Sequence, residues 1–579
     1  MFLPTTSAEC DALGWPELDV ILVTGDAYID SPLMGVAVIG KVLVAEGFRV
    51  GIIAQPDLSS ALDIQRLGKP RLFWGVTGGS VDSMVANITA AGKPRRSDDF
   101  TPGGKNDRRP NRAVIAYSNL IRRHVKNTVP IVLGGIEASL RRISHYDVWE
   151  NRIRRSVLFD AKADYLIYGM GETTVVQLAQ RLAHRQPVDE LNGLCYASSA
   201  PPKGYVVLPT HGTVAEAPRQ FIDMFHQFYG NTDPVTARGL VQLQDTRYLV
   251  QNPPQPPLST AQMDAVHALD WENAVHPSHA DQGAVSAIET IRFSIATHRG
   301  CYGECHFCAI AVHQGRTVHW RSPDSILDEA RLMIARPDFK GRIHDVGGPT
   351  ANMYGFECDR KSTKGACRHR RCLFPTVCDR LPVSHGPQRD LLKRLRALPG
   401  VRQVVVASGL RTDLIMADTR DGDGYLSELA AHHVSGQLKV APEHSVDNVL
   451  TLMGKNSSDQ LIAFKEKFDR FSAASGKRQF LTYYLMAAHP GCTQSDMAAL
   501  GRFCRDRLNV RNPEQVQVFT PTPSTYATLM YATGCDPFTG APIFVEKDPV
   551  KRQQQKGAVT GETPRHGSKD RRKKPSHRY

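Results

Sequence analysis

Three cysteines within eight residues, Cys301, Cys305 and Cys308, are the densest group of soft metal ligands in this chain. They lie in the segment His298 to Cys308, with glycines at 300 and 303 that let a short loop wrap tightly. Thiolates suit iron–sulfur clusters or zinc. Three of them spaced C-x3-C-x2-C can hold three irons of a 4Fe–4S cubane, leaving the fourth iron open to a substrate or cofactor. The alternative is zinc with His298, His306 or His313 as a fourth ligand, although the spacing matches no common zinc finger.

A second group, Cys358, Cys367, Cys372 and Cys378, is spaced C-x8-C-x4-C-x5-C. It is interleaved with Arg360, Lys361, Lys364, Arg368, Arg370 and Arg371. An insertion this polar has too little apolar content for its own core, so a metal would supply folding energy. These four residues are a candidate second site for zinc or an iron–sulfur cluster. The bland alternative is a reduced, unmetallated loop whose basic residues are solvated. The chain has twelve cysteines, and the other five are scattered.

Two strand–helix series are available to position these groups. In the first, strands are predicted at 18–24, 48–54, 71–76, 129–133 and 163–168, with helices at 34–46 and 173–184. Such alternation marks a parallel α/β sheet. Ligands of such sheets sit at the carboxyl ends of strands, so the turn after Thr24 and the Gly134-Gly135 turn are candidate site edges. The basic, glycine- and proline-rich stretch 95–112 reads as a loop, and a phosphate or substrate role for Arg108, Arg109 and Arg112 is open without support from the sequence. In the second series, strands are predicted at 291–296, 343–346, 403–407, 437–440, 480–486 and 516–519, with helices between them. Six units suit a partial (β/α)6 barrel. The expected organisation is an open α/β sheet domain (1–200), a proline-rich connecting region with little regular structure (201–285), a barrel (286–533) and a basic, largely disordered tail (534–579).

Charge and hydropathy narrow the function classes. The formal charge of +13 is concentrated at the end, where residues 547–579 carry eleven Lys or Arg against three Asp or Glu. The preceding chain is close to balanced, and a basic tail is first a solvated extension. RNA contact by the tail stays open, since basic arms bind phosphate. No apolar run reaches the ~18–20 residues needed to cross a bilayer, and the N-terminus does not read as a signal peptide. The expectation is a cytoplasmic protein without membrane contact, in which cysteines bind metals rather than form disulfides.

C-x3-C-x2-C with an aromatic residue, Phe307, before its last cysteine resembles the signature of the radical S-adenosylmethionine (SAM) superfamily. More narrowly, the chain resembles the YgiQ family of radical SAM proteins from about residue 18 to 540. The matching segments are Thr24-Gly-Asp-Ala-Tyr28, Val346-Gly-Gly-Pro-Thr350, Lys439-Val-Ala-Pro-Glu-His444 and Phe519-Thr-Pro-Thr-Pro523. The resemblance implies an enzyme in which a 4Fe–4S cluster on Cys301, Cys305 and Cys308 cleaves SAM reductively to a 5′-deoxyadenosyl radical. It also implies an electron donor such as a flavodoxin or ferredoxin, and it leaves the substrate open. Carried over by position, Phe307, Gly347, Gly348, Ser408, Arg411 and Glu443 are the expected cofactor-binding residues. Cobalamin is not expected, because Asp30-Ser-Pro-Leu-Met-Gly35 has Pro32 where an Asp-x-His-x-x-Gly run has its histidine. The competing readings are a metal-stabilised nucleic-acid-binding protein without catalysis and a cobalamin-dependent radical SAM methyltransferase.

Overall fold

In the computed structural model, which describes residues 1–561, the apolar runs of the first half pair into one nine-stranded sheet. Its strands are β1 (Val20–Thr24), β2 (Val50–Ala54), β3 (Phe73–Thr77), β4 (Ile131–Gly134), β5 (Tyr165–Ile167), β6 (Leu194–Ser198), β7 (Val206–Val207), β8 (Leu240–Gln244) and β9 (Arg247–Gln251). Their spatial order is β7-β8-β9-β6-β5-β4-β3-β1-β2. The run β2-β1-β3-β4-β5 is parallel, with Val20 of β1 opposite Val50 on one side and Phe73 on the other.

β1 is buried along its whole length, which is why it reads as an unbroken apolar run. Val20 and Leu22 face a core that includes helices α1 (Gly35–Ala45) and, later in the chain, Glu172–Ala183. Ile21 and Val23 face the opposite core, built with α2 (Ala113–His124). The helix at Glu172–Ala183 is α3. Because β1 lies between β2 and β3, the strand order reverses there, and the crevice at the carboxyl ends of β1 and β3 is the topological switch point.

The proline-rich region 201–285 is more regular than its composition predicts. It contributes α4 (Pro218–Gly230) and the antiparallel hairpin β8–β9, which extends the sheet through β6. Its prolines cluster at 253–257, just past β9, so they leave the buried Leu240, Val241, Leu249 and Val250 free to pair.

The second half is a six-unit partial barrel. Its strands are β10 (Ser294–Ala296), β11 (Arg342–Ile343) with β12 (Asp345–Gly347), β13 (Gln403–Val404), β14 (Gln437–Glu443), β15 (Phe480–Ala487) and β16 (Val516–Val518). All the pairings among them are parallel. Among the helices between them are α5 (Pro323–Ile334), α6 (Gly386–Arg396), α7 (Asp459–Ala474) and α8 (Gln494–Asp506). α5 starts on an Ser322 cap with proline at its first position, and α8 on a Thr493–Asp496 capping box. The two halves share apolar packing: Val312, Phe519, Tyr526 and Met530 belong to the same core as Ile21 and Leu133.

Part of the predicted tail, 534–579, is instead regular structure. Residues 549–560 form α9 (Pro549–Thr560), capped by Asp548 and packed on α8. Its composition hides this because the burial is largely polar. Gln555 accepts from Ala488 N at 2.8 Å and donates to Cys492 O at 3.0 Å, and Arg552 donates to Phe519 O. The remainder of the predicted tail, 562–579, lies outside the described residues. Among the described residues no helix is long and apolar enough to cross a membrane.

Candidate active site

The carboxyl ends of the sheet strands face the carboxyl ends of the barrel strands across a cavity of about 1180 Å³. One wall carries Thr24 and Asp26 after β1, Thr77, Gly79 and Ser80 after β3, Gly134 and Gly135 after β4, and Gly169 and Met170 after β5. The other carries Ala296, His298, Gly347, Gly348, Ser408, Gly409 and Lys439. This space exceeds the roughly 300–1,000 Å³ of an ordinary small-ligand pocket. Both turns singled out in the sequence, after Thr24 and at Gly134-Gly135, border it.

On the sheet wall the loops after β1 and β3 interlock. A Cβ at Gly25 would lie 2.3 Å from Gly78 O, so only glycine permits this approach. Asp26 is buried, accepts from Ser80 N at 2.6 Å and pairs with Arg109 at 2.7 Å. Burial pushes the Asp26 carboxyl up, against the pull of Arg109. Arg109, in a stretch that reads as a basic loop, is therefore a buried counter-ion, also held by Asp98 at 3.0 Å. Arg112 pairs with Asp147 and Glu150, and Arg108 donates to Gln282.

On the barrel wall Gly347 ends β12, and Thr297 N donates to its carbonyl at 2.8 Å. Gly348 is required by His298, since an added Cβ would sit 2.6 Å from the ring's Nε2. His298 is buried, its Nδ1 2.8 Å from Thr297 Oγ1 and its Nε2 3.0 Å from Thr350 O. Asp345 accepts from Ala407 N at 2.8 Å, from Ser408 N at 3.2 Å and from the Ser408 hydroxyl, which aims that residue at the cavity. Of the six expected cofactor residues, Gly347, Gly348 and Ser408 line the cavity; Phe307, Arg411 and Glu443 do not.

Phe307 belongs to the cysteine loop itself, and Arg411 and Glu443 lie beside that loop. Cys301 and Cys305 converge on Gly303, whose added Cβ would lie 3.2 Å and 3.6 Å from their sulfurs. Arg411 Nη1 is 3.5 Å from Cys305 Sγ, while the rest of its guanidinium is paired with Asp413. Burial raises the Cys301 thiol, and burial with the neighbouring Cys305 and Cys301 pushes Cys308 up to about 12. Thiolates, not thiols, are the ligands of soft cations, so binding one here would draw the protons from Cys301 and Cys308. Glu443 ends β14 at a register shift with a left-handed backbone (φ 68°), buried and pushed up by desolvation. Such a bulge, with a non-glycine residue held in that region, is a device of functional sites. Phe307 meets His489 edge-on, with ring centres 6.2 Å apart.

The second cysteine group is spread differently. Cys358, Cys372 and Cys378 pack around the apolar cluster of Tyr302, Phe356 and Leu373, whereas Cys367 is exposed with Arg360 Nη1 2.8 Å from its sulfur. Among the described residues no three His, Cys, Asp or Glu side chains converge on a point that would hold a single metal ion.

The sequence offered no signal for the contact that joins the walls. Arg299, two residues before Cys301, forms an ion pair with Glu172 at the start of α3, and both line the cavity. Burial works to raise the Glu172 carboxyl, but Arg299 holds it below the usual range. The pair was invisible because its members are 127 residues apart.

Comparison with known proteins follows this geometry. A family model described as Radical SAM N-terminal matches residues 2–294. A UPF0313 protein of Fusobacterium nucleatum is 53% identical over 560 residues, covering 96% of this chain and 98% of its own. A UPF0313 protein of Thermotoga maritima is 48% identical over 562 residues, with 96% and 98% coverage. Among solved structures, the radical SAM methyltransferase TsrM from Kitasatospora setae, with cobalamin and a [4Fe-4S] cluster bound, matches with a TM-score of 0.50 at 15% identity, over 88% of this chain and 76% of its own. OxsB, a cobalamin-dependent SAM radical enzyme with aqua-cobalamin bound, matches with a TM-score of 0.50 at 13% identity, over 92% and 58%. At these identities the likeness is one of fold.

The expectation against cobalamin is thereby corrected, since this is the fold of chains solved with cobalamin bound. That expectation rested on Pro32, and the absence of a histidine removes one cobalt ligand without closing the cavity that Pro32 itself lines. The Asp30 of the same run serves the fold: it is buried and pairs with Lys41 at 3.2 Å, and it accepts from Tyr28 Oη at 3.2 Å and Glu272 N at 2.9 Å.

Proposed function

From the premise that the chain belongs to the UPF0313 family of radical SAM enzymes, we propose that it is a cobalamin-dependent radical SAM methyltransferase. One observation carries this reading: a single cavity is bounded by the switch point of the sheet and the mouth of the barrel. Two glycines mark where groups fit. A Cβ on Gly134, on the sheet wall, or on Gly409, on the barrel wall, would meet no atom within 4 Å.

In this reading Cys301, Cys305 and Cys308 hold the 4Fe–4S cluster, with Phe307 packed behind the loop. SAM lies against Gly347, Gly348 and Ser408, and the corrinoid against the strand ends at Asp26, Gly79, Gly134 and Gly135. When bound, the cluster supplies one electron to the sulfonium and the corrinoid supplies a transferable methyl group. The chain does the positioning. Arg411 holds Nη1 3.5 Å from Cys305 Sγ, Asp345 fixes the Ser408 hydroxyl, and the Glu172–Arg299 pair keeps the two walls in register. The substrate enters the same cavity.

The test is anaerobic reconstitution with iron, sulfide and hydroxocobalamin. Wild type is expected to retain a stoichiometric corrinoid and to convert SAM to 5′-deoxyadenosine under reduction. Gly134→Leu, which points into the space without strain, should lose the corrinoid while keeping iron. Cys301→Ala, Cys305→Ala and Cys308→Ala should each lose the iron and the cleavage. Wild-type protein that retains no corrinoid, or Gly134→Leu that retains it fully, refutes the cobalamin reading. Alanine variants with normal iron and activity refute the cluster assignment.

A further inference from the structure

The cysteine loop has a second neighbourhood, made of residues that do not line the cavity. His306, between Cys305 and Cys308, is buried, and its ring stacks on Phe538 with centres 5.2 Å and planes 26° apart. Phe538 is 52% exposed. Tyr526 completes the cluster of rings, 5.4 Å from His306 and 4.8 Å from Phe538. Arg371 covers it, its guanidinium 5.3 Å from the Tyr526 ring and 5.6 Å from the Phe538 ring, and Nη1 donates to Glu304 O at 3.0 Å. A surface ring is thus in contact with a ring flanked by two of the three loop cysteines.

Beside it, the segment that carries Arg371 presents Lys364, Arg368, His369 and Arg370 to solvent. Arg360 is exposed as well. The nearby acids are outnumbered: Glu357 is paired with Lys361, Asp233 is buried and accepts from Ala366 N, and Asp536 accepts from Phe538 N at 3.0 Å, leaving Asp359 and Asp379 exposed. The face is strongly positive around one exposed aromatic.

We infer that this face docks an acidic one-electron carrier protein, whose electron enters through Phe538 and His306. The inference rests on the cluster assignment made above. The step is simple to balance: the reduced carrier loses one electron, the cluster gains it, no bond forms or breaks, and no proton moves. Electron transfer weakens steeply with distance, so a stacked ring pair from the surface to the cysteine loop is a short route. Opposite charge speeds encounter and orients it. Position argues against RNA as the occupant. A nucleotide substrate must reach the cavity, yet no residue from 350 to 406 lines it. An electron need only reach the cysteines.

The experiment uses full-length, anaerobically reconstituted protein and flavodoxin as the probe. Two quantities are read: flavodoxin affinity at low and high salt, and the rate of cluster reduction by reduced flavodoxin or by dithionite. The triple variant Lys364→Glu/Arg368→Glu/Arg370→Glu should lose affinity roughly tenfold or more and lose most of its salt dependence, with iron content and dithionite reduction retained. Phe538→Ala should keep the affinity and slow reduction by flavodoxin alone. Wild-type affinity in the triple variant overturns the inference, as does a wild type that does not bind flavodoxin at low salt. Binding of single-stranded RNA that the triple variant loses, without flavodoxin binding, assigns the face to nucleic acid instead. A wild type without iron fails the cluster assignment, and the affinity measurement still decides the docking.

Discussion

Replacing Gly348 by alanine tests whether the barrel wall is built around His298. The backbone of Gly348 is not in the left-handed region, so the change acts through its Cβ alone. That atom would sit 2.6 Å from His298 Nε2, 2.7 Å from Cε1 and 2.8 Å from Cδ2, far inside contact distance. The ring cannot swing away freely, because it is buried and held at both nitrogens by Thr297 Oγ1 and Thr350 O. Overpacking a core typically costs about 1–3 kcal/mol, and losing the bond to Thr350 O adds about 1 kcal/mol, giving roughly 2–4 kcal/mol. Hydrogen exchange reads this locally at the Thr297 and Val346 amides, which donate to Gly347 O and Val405 O. Their exchange should speed up about 30- to 700-fold, at tenfold per 1.4 kcal/mol. The decisive control is His298→Ala. In that background the same Gly348→Ala change meets no ring and should alter exchange less than about fivefold, corresponding to under ~1 kcal/mol. Equal effects in the two backgrounds would show that the glycine is there for another reason, and the reasoning would fail.

Two further outcomes follow from the buried polar contacts. The folded Glu172 carboxyl lies below its ordinary value of 4.5, so its stabilisation is fully present above that pH and is lost as pH falls through the lowered value. Acid unfolding of Glu172→Gln should lack that component, and at neutral pH the variant should be weakened by about 1–3 kcal/mol because the half-buried Arg299 loses its charged partner; an unchanged acid titration would rule the pair out as a link between the walls. Truncation after Asp548 should destabilise the barrel by roughly 3 kcal/mol or more, since Ala488 N, Cys492 O and Phe519 O each lose a partner at about 1–3 kcal/mol. Urea unfolding at the full-length midpoint would show α9 to be dispensable.

The sequence by itself determined the five parallel strands of the sheet, the six-unit series after it and the cysteine loop. Each is a local pattern. β1 and β4 are short runs that burial on both faces forces to be apolar, whereas β14 and β15 alternate buried with more exposed positions and are legible from that alternation. The C-x3-C-x2-C spacing is local too, because one loop must bring all three thiols together. Composition misled wherever burial is polar. Arg109 read as part of a basic loop, and α9 read as tail, because a buried charge or amide is recognised only by its partner. Proline content likewise hid β8 and β9, whose pairing depends on β6, far enough away in the chain to leave no periodic trace. Only the tertiary structure decided the site's extent. Glu172 meets Arg299, and Gly134 and Gly409 line one cavity, because two separately legible layers stack with their strand ends opposed. The cobalamin question turned on the same point. A histidine in a short motif is a property of one segment, whereas a cavity is the space left between two, and no single stretch of residues encodes its volume.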